Sequence, residues 1–229
     1  MNLQPLLHKA YCSSIGVLQL TEQLCLDAIK NNIPGDFAEA GVARGIHGIV
    51  MNSVAKDQKV WLFDSFEGIS KHGPEDVEWT EVHGERKEAD PRASDGITSH
   101  SINEVRGHIF AAGQTMDNFR FVKGWFADTL PHLDQNLKFS VLRLDVDLYS
   151  PYMDCFQYLL PKLSPGGWLI LDDFVLSGCK RAITDSGLDI TDFTIDSNKM
   201  AFMHWTPFKI SRWKENKNIN NGYHGLHRV

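Results

Sequence analysis

Apolar residues recur along this chain in two rhythms. Over residues 13–32, "SSIGVLQLTEQLCLDAIKNN", Ile15, Leu18, Leu24 and Ile29 return at helical spacing, and Asn-Asn before Pro34 stops the run. Residues 46–55, 101–113, 151–163 and 177–186 also read as helices. Between them lie short apolar runs with strand character: "GDFAEAG", "KVWLFDSFEG" (59–68), "FRFVKG" (119–124), "FSVLRLD" (139–145) and "GWLILDD" (167–173). Residues 192–205 predict two further strands joined at Asp196-Ser197-Asn198, which has hairpin turn chemistry. Strands alternating with helices imply an α/β fold with a parallel sheet and helices on both faces. Strands that are apolar throughout fit a sheet buried on both sides.

Two segments break the rhythm. Residues 71–100 carry eight acids and four bases with little periodicity, and are expected to form a mobile insertion of the kind that often covers a site. Residues 206–229 are polar and basic and are expected to be a loosely held tail. The remainder reads as one domain over residues 1–229, opened by a helical segment at 1–34.

Composition narrows the partners. A net charge of −6 and a pI near 5.9 leave no basic stripe to neutralise phosphates, so no nucleic-acid partner is expected. No apolar run reaches membrane-spanning length and the N-terminus has no signal-peptide pattern. Cys12, Cys25, Cys155 and Cys179 are scattered, as reduced packing thiols would be, and the expected location is cytoplasmic. Whether the chain forms a homo-oligomer stays open.

The chemistry gathers at the strand ends. Glu39, Asp64, Asp145 and Asp172 each close a predicted strand, so they share the carboxyl edge of the sheet, where ligands bind in such folds. "FAEAGVARGIHG" places Gly41, Gly45 and Gly48 as G-x-x-x-G-x-x-G, a poor match to the G-x-G-x-x-G of dinucleotide sites. S-adenosylmethionine carries a sulfonium and an ammonium, both positive, and suits an acid at the first strand end. Asp64, some twenty residues on, suits the ribose hydroxyls. This ranks S-adenosylmethionine above NAD, and above the bland alternative that Gly41 and Gly45 only make a tight turn. Trp125 and Phe126 follow the third strand, where an adenine ring would stack or an aromatic core would pack. His72, His83 and His100 lie in the insertion and read mainly as solvated.

"LRLDVDLYSP" and "LILDDF" end two strands in the pairs Asp145/Asp147 and Asp172/Asp173. Converging carboxylates repel unless a cation lies between them, and hard oxygen ligands select Mg²⁺. Asp145, Asp172 and Asp173 are the candidate ligands, and Asp147 the candidate general base for a hydroxyl acidified by the cation. Taken singly, each acid reads as a helix cap or loop end; two pairs at two strand ends favour the metal.

The stretches "GDFAEAGVARG" (35–45), "VWLFDSFEG" (60–68), "GWFADTLP" (124–131), "LRLDVDLYSPYMDCFQYLLPKLSPGGWLILDDF" (142–174) and "CKRAI" (179–183) resemble the macrocin O-methyltransferases. The resemblance spans roughly residues 13 to 205. It implies a Rossmann-like S-adenosylmethionine-dependent methyltransferase fold: a mostly parallel seven-stranded sheet, helices on both faces and a C-terminal antiparallel hairpin. It implies Mg²⁺ held by Asp145, Asp172 and Asp173, with Asp147 as base. It implies S-adenosylmethionine held by Glu39, Gly41, Val42, Asp64 and Ser65, with Gly124, Trp125 and Phe126 beside it. The acceptor it implies is a small molecule with a vicinal diol, a sugar of a natural product or glycan. An aromatic catechol and a non-catalytic S-adenosylmethionine-binding domain are the alternatives. The family usually has Gly where this chain has Val146, and a second Gly where it has Ile46.

Overall fold

The computed structural model describes residues 14–76, 78–82, 85–89 and 99–225. In chain order the elements are α1 (Ile15–Lys30), β1 (Asp36–Ala40), α2 (Ile46–Val54), β2 (Val60–Asp64), β3 (Glu78–Val82), β4 (Glu85–Ala89), α3 (Ile102–Ala111), β5 (Phe119–Lys123), α4 (Phe126–Thr129), β6 (Phe139–Leu144), α5 (Tyr149–Tyr158), β7 (Leu163–Leu171), α6 (Ser177–Asp185), β8 (Thr194–Ile195), β9 (Ala201–His204) and α7 (Pro207–Gly225).

Seven strands form one sheet in the order β5-β2-β1-β6-β7-β9-β8. The pairs from β5 through β7 are parallel, and β9 runs antiparallel to both β7 and β8. The chain moves outward from β1 to β2 and β5, then returns to place β6 on the other flank of β1. The order therefore switches between β1 and β6, and that crevice is where α/β sheets bind ligands.

Alternation along each strand feeds two apolar layers. Phe37, Leu62, Val141 and Ile170 pack on one face, with Leu18, Cys25 and Ala28 of α1, Ile49 and Val50 of α2, and Val105 and Ile109 of α3. Ala38, Phe63, Leu142, Leu144 and Leu171 pack on the other, with Tyr152 and Phe156 of α5 and Ala182 and Ile183 of α6. α1 joins the first of these layers because Leu18, Thr21, Cys25 and Ala28 fall on one stripe of the helix. Cys25, Cys155 and Cys179 are buried packing thiols, while Cys12 lies outside the described residues.

Three expectations change. The helix expected over 151–163 starts at Tyr149, gives way after Tyr158 to a 3₁₀ turn at Leu160–Lys162, and β7 begins at Leu163. Pro161 cannot continue the α-helical ladder. The β6–β7 register jumps within "SPGG", from Phe139↔Leu163 to Val141↔Trp168. The insertion contains a separate antiparallel sheet, β3–β4, with Glu81 opposite Arg86. "EWTEV" and "ERKEA" are polar on both sides of the strand, so no apolar alternation announces them.

The tail's described part, Pro207–Gly225, is helical and anchored. Trp213 is buried against Trp205, and its indole N–H donates to the Ser186 carbonyl at 2.9 Å. Trp213, with Ile210 beside it, docks a mostly polar helix onto the core. Among the described residues no helix is long and apolar enough to cross a membrane.

Candidate active site

At the switch point, β1 runs into a left-handed glycine. Gly41 has φ +79°, and a Cβ there would lie 1.7 Å from the Asp145 carbonyl oxygen. Only glycine lets the loop after β1 lie directly on the loop after β6. The Gly41 N–H donates to the Phe63 carbonyl at 3.0 Å, and the Asp145 N–H to the Ala40 carbonyl at 2.9 Å. The carboxyl ends of β1, β2 and β6 are thereby tied together.

Asp64, closing β2, organises the β2–β5 side of this edge. Its Oδ2 accepts from the Val42 N–H at 2.6 Å and its Oδ1 from the Phe66 N–H at 2.6 Å. The Ser65 hydroxyl donates to the Gly68 carbonyl at 3.1 Å and accepts from the Glu67 N–H at 3.0 Å. Gly124, at φ +142°, donates its N–H to the Asp64 carbonyl at 2.9 Å, which brings the end of β5 alongside. The two aromatics that follow part company: Trp125 is 42% exposed at the edge, whereas Phe126 packs against the core.

Glu39 occupies a different position from the one its strand-end placement suggests. It is buried, with one oxygen accepting from the Gly48 N–H at 3.0 Å and the other from Arg143 at 3.1 Å. It braces the start of α2 from beneath the loop instead of facing open space. Burial pushes its carboxyl up to about 8, with Arg143 pulling the other way.

Arg143 is the residue that strand-end reasoning missed. Its guanidinium is fully buried and bridges Glu39 (3.1 Å), Asp145 (3.1 Å) and Asp172 (2.7 Å). Burial opposes its charge, yet Asp172, Asp145 and Glu39 together hold it above its ordinary range. The signal was legible: a lone charge inside the apolar strand "FSVLRLD", two residues from Asp145 and so on the same face.

With Arg143 in place, the acids regroup. One Asp172 oxygen is committed to the guanidinium. The carboxylates of Asp145, Asp147 and Asp173 each offer an oxygen, and these lie within 4.8 Å of one another. Asp173 is buried; its Oδ2 accepts from the Asp147 N–H at 2.7 Å and from the Tyr152 hydroxyl at 3.1 Å. Asp147 has φ +61°, a left-handed conformation that aspartate tolerates better than most residues. Asp147 is not the cap of the following helix, since the N-cap of α5 is Leu148. Burial and the Asp172 carboxylate push Asp145 up, against the pull of Arg143. Three carboxylates thus share the Arg143 guanidinium, Asp147 and Asp173 add two more acids beside Asp145, and a hard divalent cation among Asp145, Asp147 and Asp173 fits that excess. Relative to the expected trio of Asp145, Asp172 and Asp173, the geometry draws Asp147 inward and turns Asp172 toward Arg143.

Both departures from the family pattern are absorbed by packing, for Val146 and Ile46 are buried in opposite apolar layers. His72 is exposed, and His83 lies outside the described residues. His100 sits 4.0 Å from Glu104, lowered by burial and by the charge of Arg44.

The strand order, the antiparallel β9 and the glycine loop at the switch point define the S-adenosylmethionine-dependent methyltransferase fold class. Residues 12–193 match the macrocin O-methyltransferase (TylF) family, and the chain belongs to that family. It is 37% identical over 194 residues to a demethyldecarbamoylnovobiocin O-methyltransferase from Streptomyces niveus, covering 80% of this chain and 71% of that protein. A tetracenomycin-C-type 4'-O-methyltransferase from Streptomyces olivaceus, named for a dimethoxy-rhamnosyl substrate, is 34% identical over 169 residues. That match covers 71% of this chain but spans 62% of the relative's length. Among solved structures, the O-methyltransferase NovP superposes with a TM-score of 0.68 at 31% identity, covering 82% of this chain and 79% of that one. The calicheamicin methyltransferase CalS11, at 19% identity and TM-score 0.65, shares the fold.

Proposed function

We propose that this protein is an S-adenosylmethionine- and Mg²⁺-dependent O-methyltransferase acting on one hydroxyl of a vicinal diol, on a sugar of a natural product or glycan. The observation that carries the reading is the convergence of Asp145, Asp147 and Asp173 beside the glycine loop at the switch point. Family membership and relatives named for sugar-bearing antibiotics support the substrate class. Buried thiols support a reducing, cytoplasmic setting.

When bound, S-adenosylmethionine supplies an electrophilic methyl group on a sulfonium, and Mg²⁺ supplies charge that gathers and acidifies a diol. The chain does the rest. The loop at Gly41–Val42 and the Asp64–Ser65 turn bind the nucleoside, with Trp125 as an aromatic wall at the mouth. Asp145 and Asp173 would hold the cation, and Asp172 steadies Arg143. Asp147 would take the proton of the substrate hydroxyl that accepts the methyl group. Much of the rate would come from these residues fixing the hydroxyl and the methyl donor in one orientation.

Asp64→Ala is expected to weaken binding of S-adenosylhomocysteine by roughly tenfold or more in calorimetry, because two charge-assisted bonds that shape the loop are lost. NAD binding in place of S-adenosylhomocysteine would remove the cofactor assignment. The activity itself is tested by offering S-adenosylmethionine, with a panel of deoxysugar glycosides and catechols, to the protein before and after chelation. Methylation of a diol sugar that stops with chelator and returns with Mg²⁺ is the expected result. Full turnover after exhaustive chelation would sink the metal, and transfer to catechols alone would sink the sugar.

A further inference from the structure

Asp76 is buried at 7% exposure in the one-turn 3₁₀ helix Pro74–Asp76, near the start of the polar insertion. Its Oδ2 accepts from the Gly73 N–H at 2.9 Å, closing its own turn. Its Oδ1 crosses to the main body and accepts from the Tyr149 N–H at 2.6 Å. Tyr149 is the first residue of α5, and its N-cap, Leu148, has no side-chain oxygen to offer. An acid 73 positions away thus caps the helix that begins two residues after Asp147. The contact is built closely: a Cβ on Gly178 of α6 would lie 2.2 Å from Asp76 Oδ1.

We propose that Asp76 is a positioning residue that clamps the entry to the insertion onto the Asp145–Tyr149 loop and so holds Asp147 in the carboxylate cluster. This rests on the metal-dependent reading above. The backbone between Asp145 and Tyr149 is held from the sheet side by the buried Val146 and Leu148 side chains, and Asp76 holds its exit at Tyr149. Asp147 is held at φ +61° by its N–H bond to Asp173, and the Leu148 N–H turns back to the Val146 carbonyl. Without Asp76, the Tyr149 N–H loses its partner at the helix end, and the left-handed turn is free to relax. Asp76 touches neither the glycine loop nor Asp64, so the nucleoside side should not feel its loss.

The test uses the full chain with Mg²⁺ alone and S-adenosylhomocysteine alone as calorimetric probes, and hydrogen exchange at Tyr149. Wild-type binding of both probes checks the underlying reading independently of Asp76. In Asp76→Ala, Mg²⁺ affinity is expected to fall about five- to tenfold, Tyr149 exchange to speed up at least tenfold, and S-adenosylhomocysteine affinity to stay within about twofold. Asp76→Asn keeps one acceptor for Tyr149 and should fall between the two, and it carries the test should the alanine variant not fold. Unchanged Mg²⁺ affinity overturns the proposal. So does an equal loss of both affinities, which would make Asp76 a general brace of the fold.

Discussion

Asp147→Asn is expected to lower turnover by a factor of roughly 10² to 10⁴, the usual cost of a lost general base. Asparagine fits the site sterically and tolerates the left-handed backbone, and the main-chain N–H that bonds Asp173 is untouched. Affinity for S-adenosylhomocysteine should be unchanged, so the loss belongs to the chemical step. Because Asp147 also lies with Asp145 and Asp173, the variant should bind Mg²⁺ somewhat less well. Titrating Mg²⁺ to saturation separates the two roles: a lost ligand is recovered at high metal, a lost proton acceptor is not. Recovery of near-normal turnover would leave Asp147 as a ligand only, and the base would be sought at His100 or His83.

Arg143→Met is expected to destabilise the fold by about 3–5 kcal/mol, the range seen when one partner of a buried ion pair is removed. The side chain is accommodated, but Glu39, Asp145 and Asp172 lose the charge they share. Against a total stability of about 5–15 kcal/mol, that is a large fraction. Urea denaturation measures it, and added Mg²⁺ should restore part of the loss by binding the native acids. Arg143→Lys should be intermediate, since one ammonium cannot replace a planar fork serving three carboxylates. A loss below about 1 kcal/mol in Arg143→Met would show that the acids are carried by something other than this guanidinium.

Most of the architecture was legible because it is written in periodicity. Leu18, Cys25 and Ala28 mark a helix, and "VWLFD" and "FSVLRL" mark strands, whatever surrounds them. β3–β4 and α7 were not legible. The first pairs polar strands, and the second depends on Trp213 meeting Trp205 and Ser186 across the fold. The same divide runs through the site. Asp64, Asp145 and Asp173 stand where the strand ends put them. Glu39 also stands at the expected edge, but its pairing with Arg143 and the Gly48 N–H was not legible: position along a strand tells which edge a residue sits on, not which partner it finds there. Asp76 could not be found at all, because a cap supplied from 73 residues away leaves no local pattern.

Arg143 has a further consequence for the life of the protein between substrates. A pocket of acids with no charge of its own to balance them would depend on cation supply to assemble, and the chain would unravel whenever metal ran short. Here Glu39, Asp145 and Asp172 are answered by a side chain that never leaves. Under the proposed function, scarcity of Mg²⁺ therefore idles the protein instead of discarding it. A stock of intact but silent molecules resumes methylation as soon as the ion returns, with no new synthesis required.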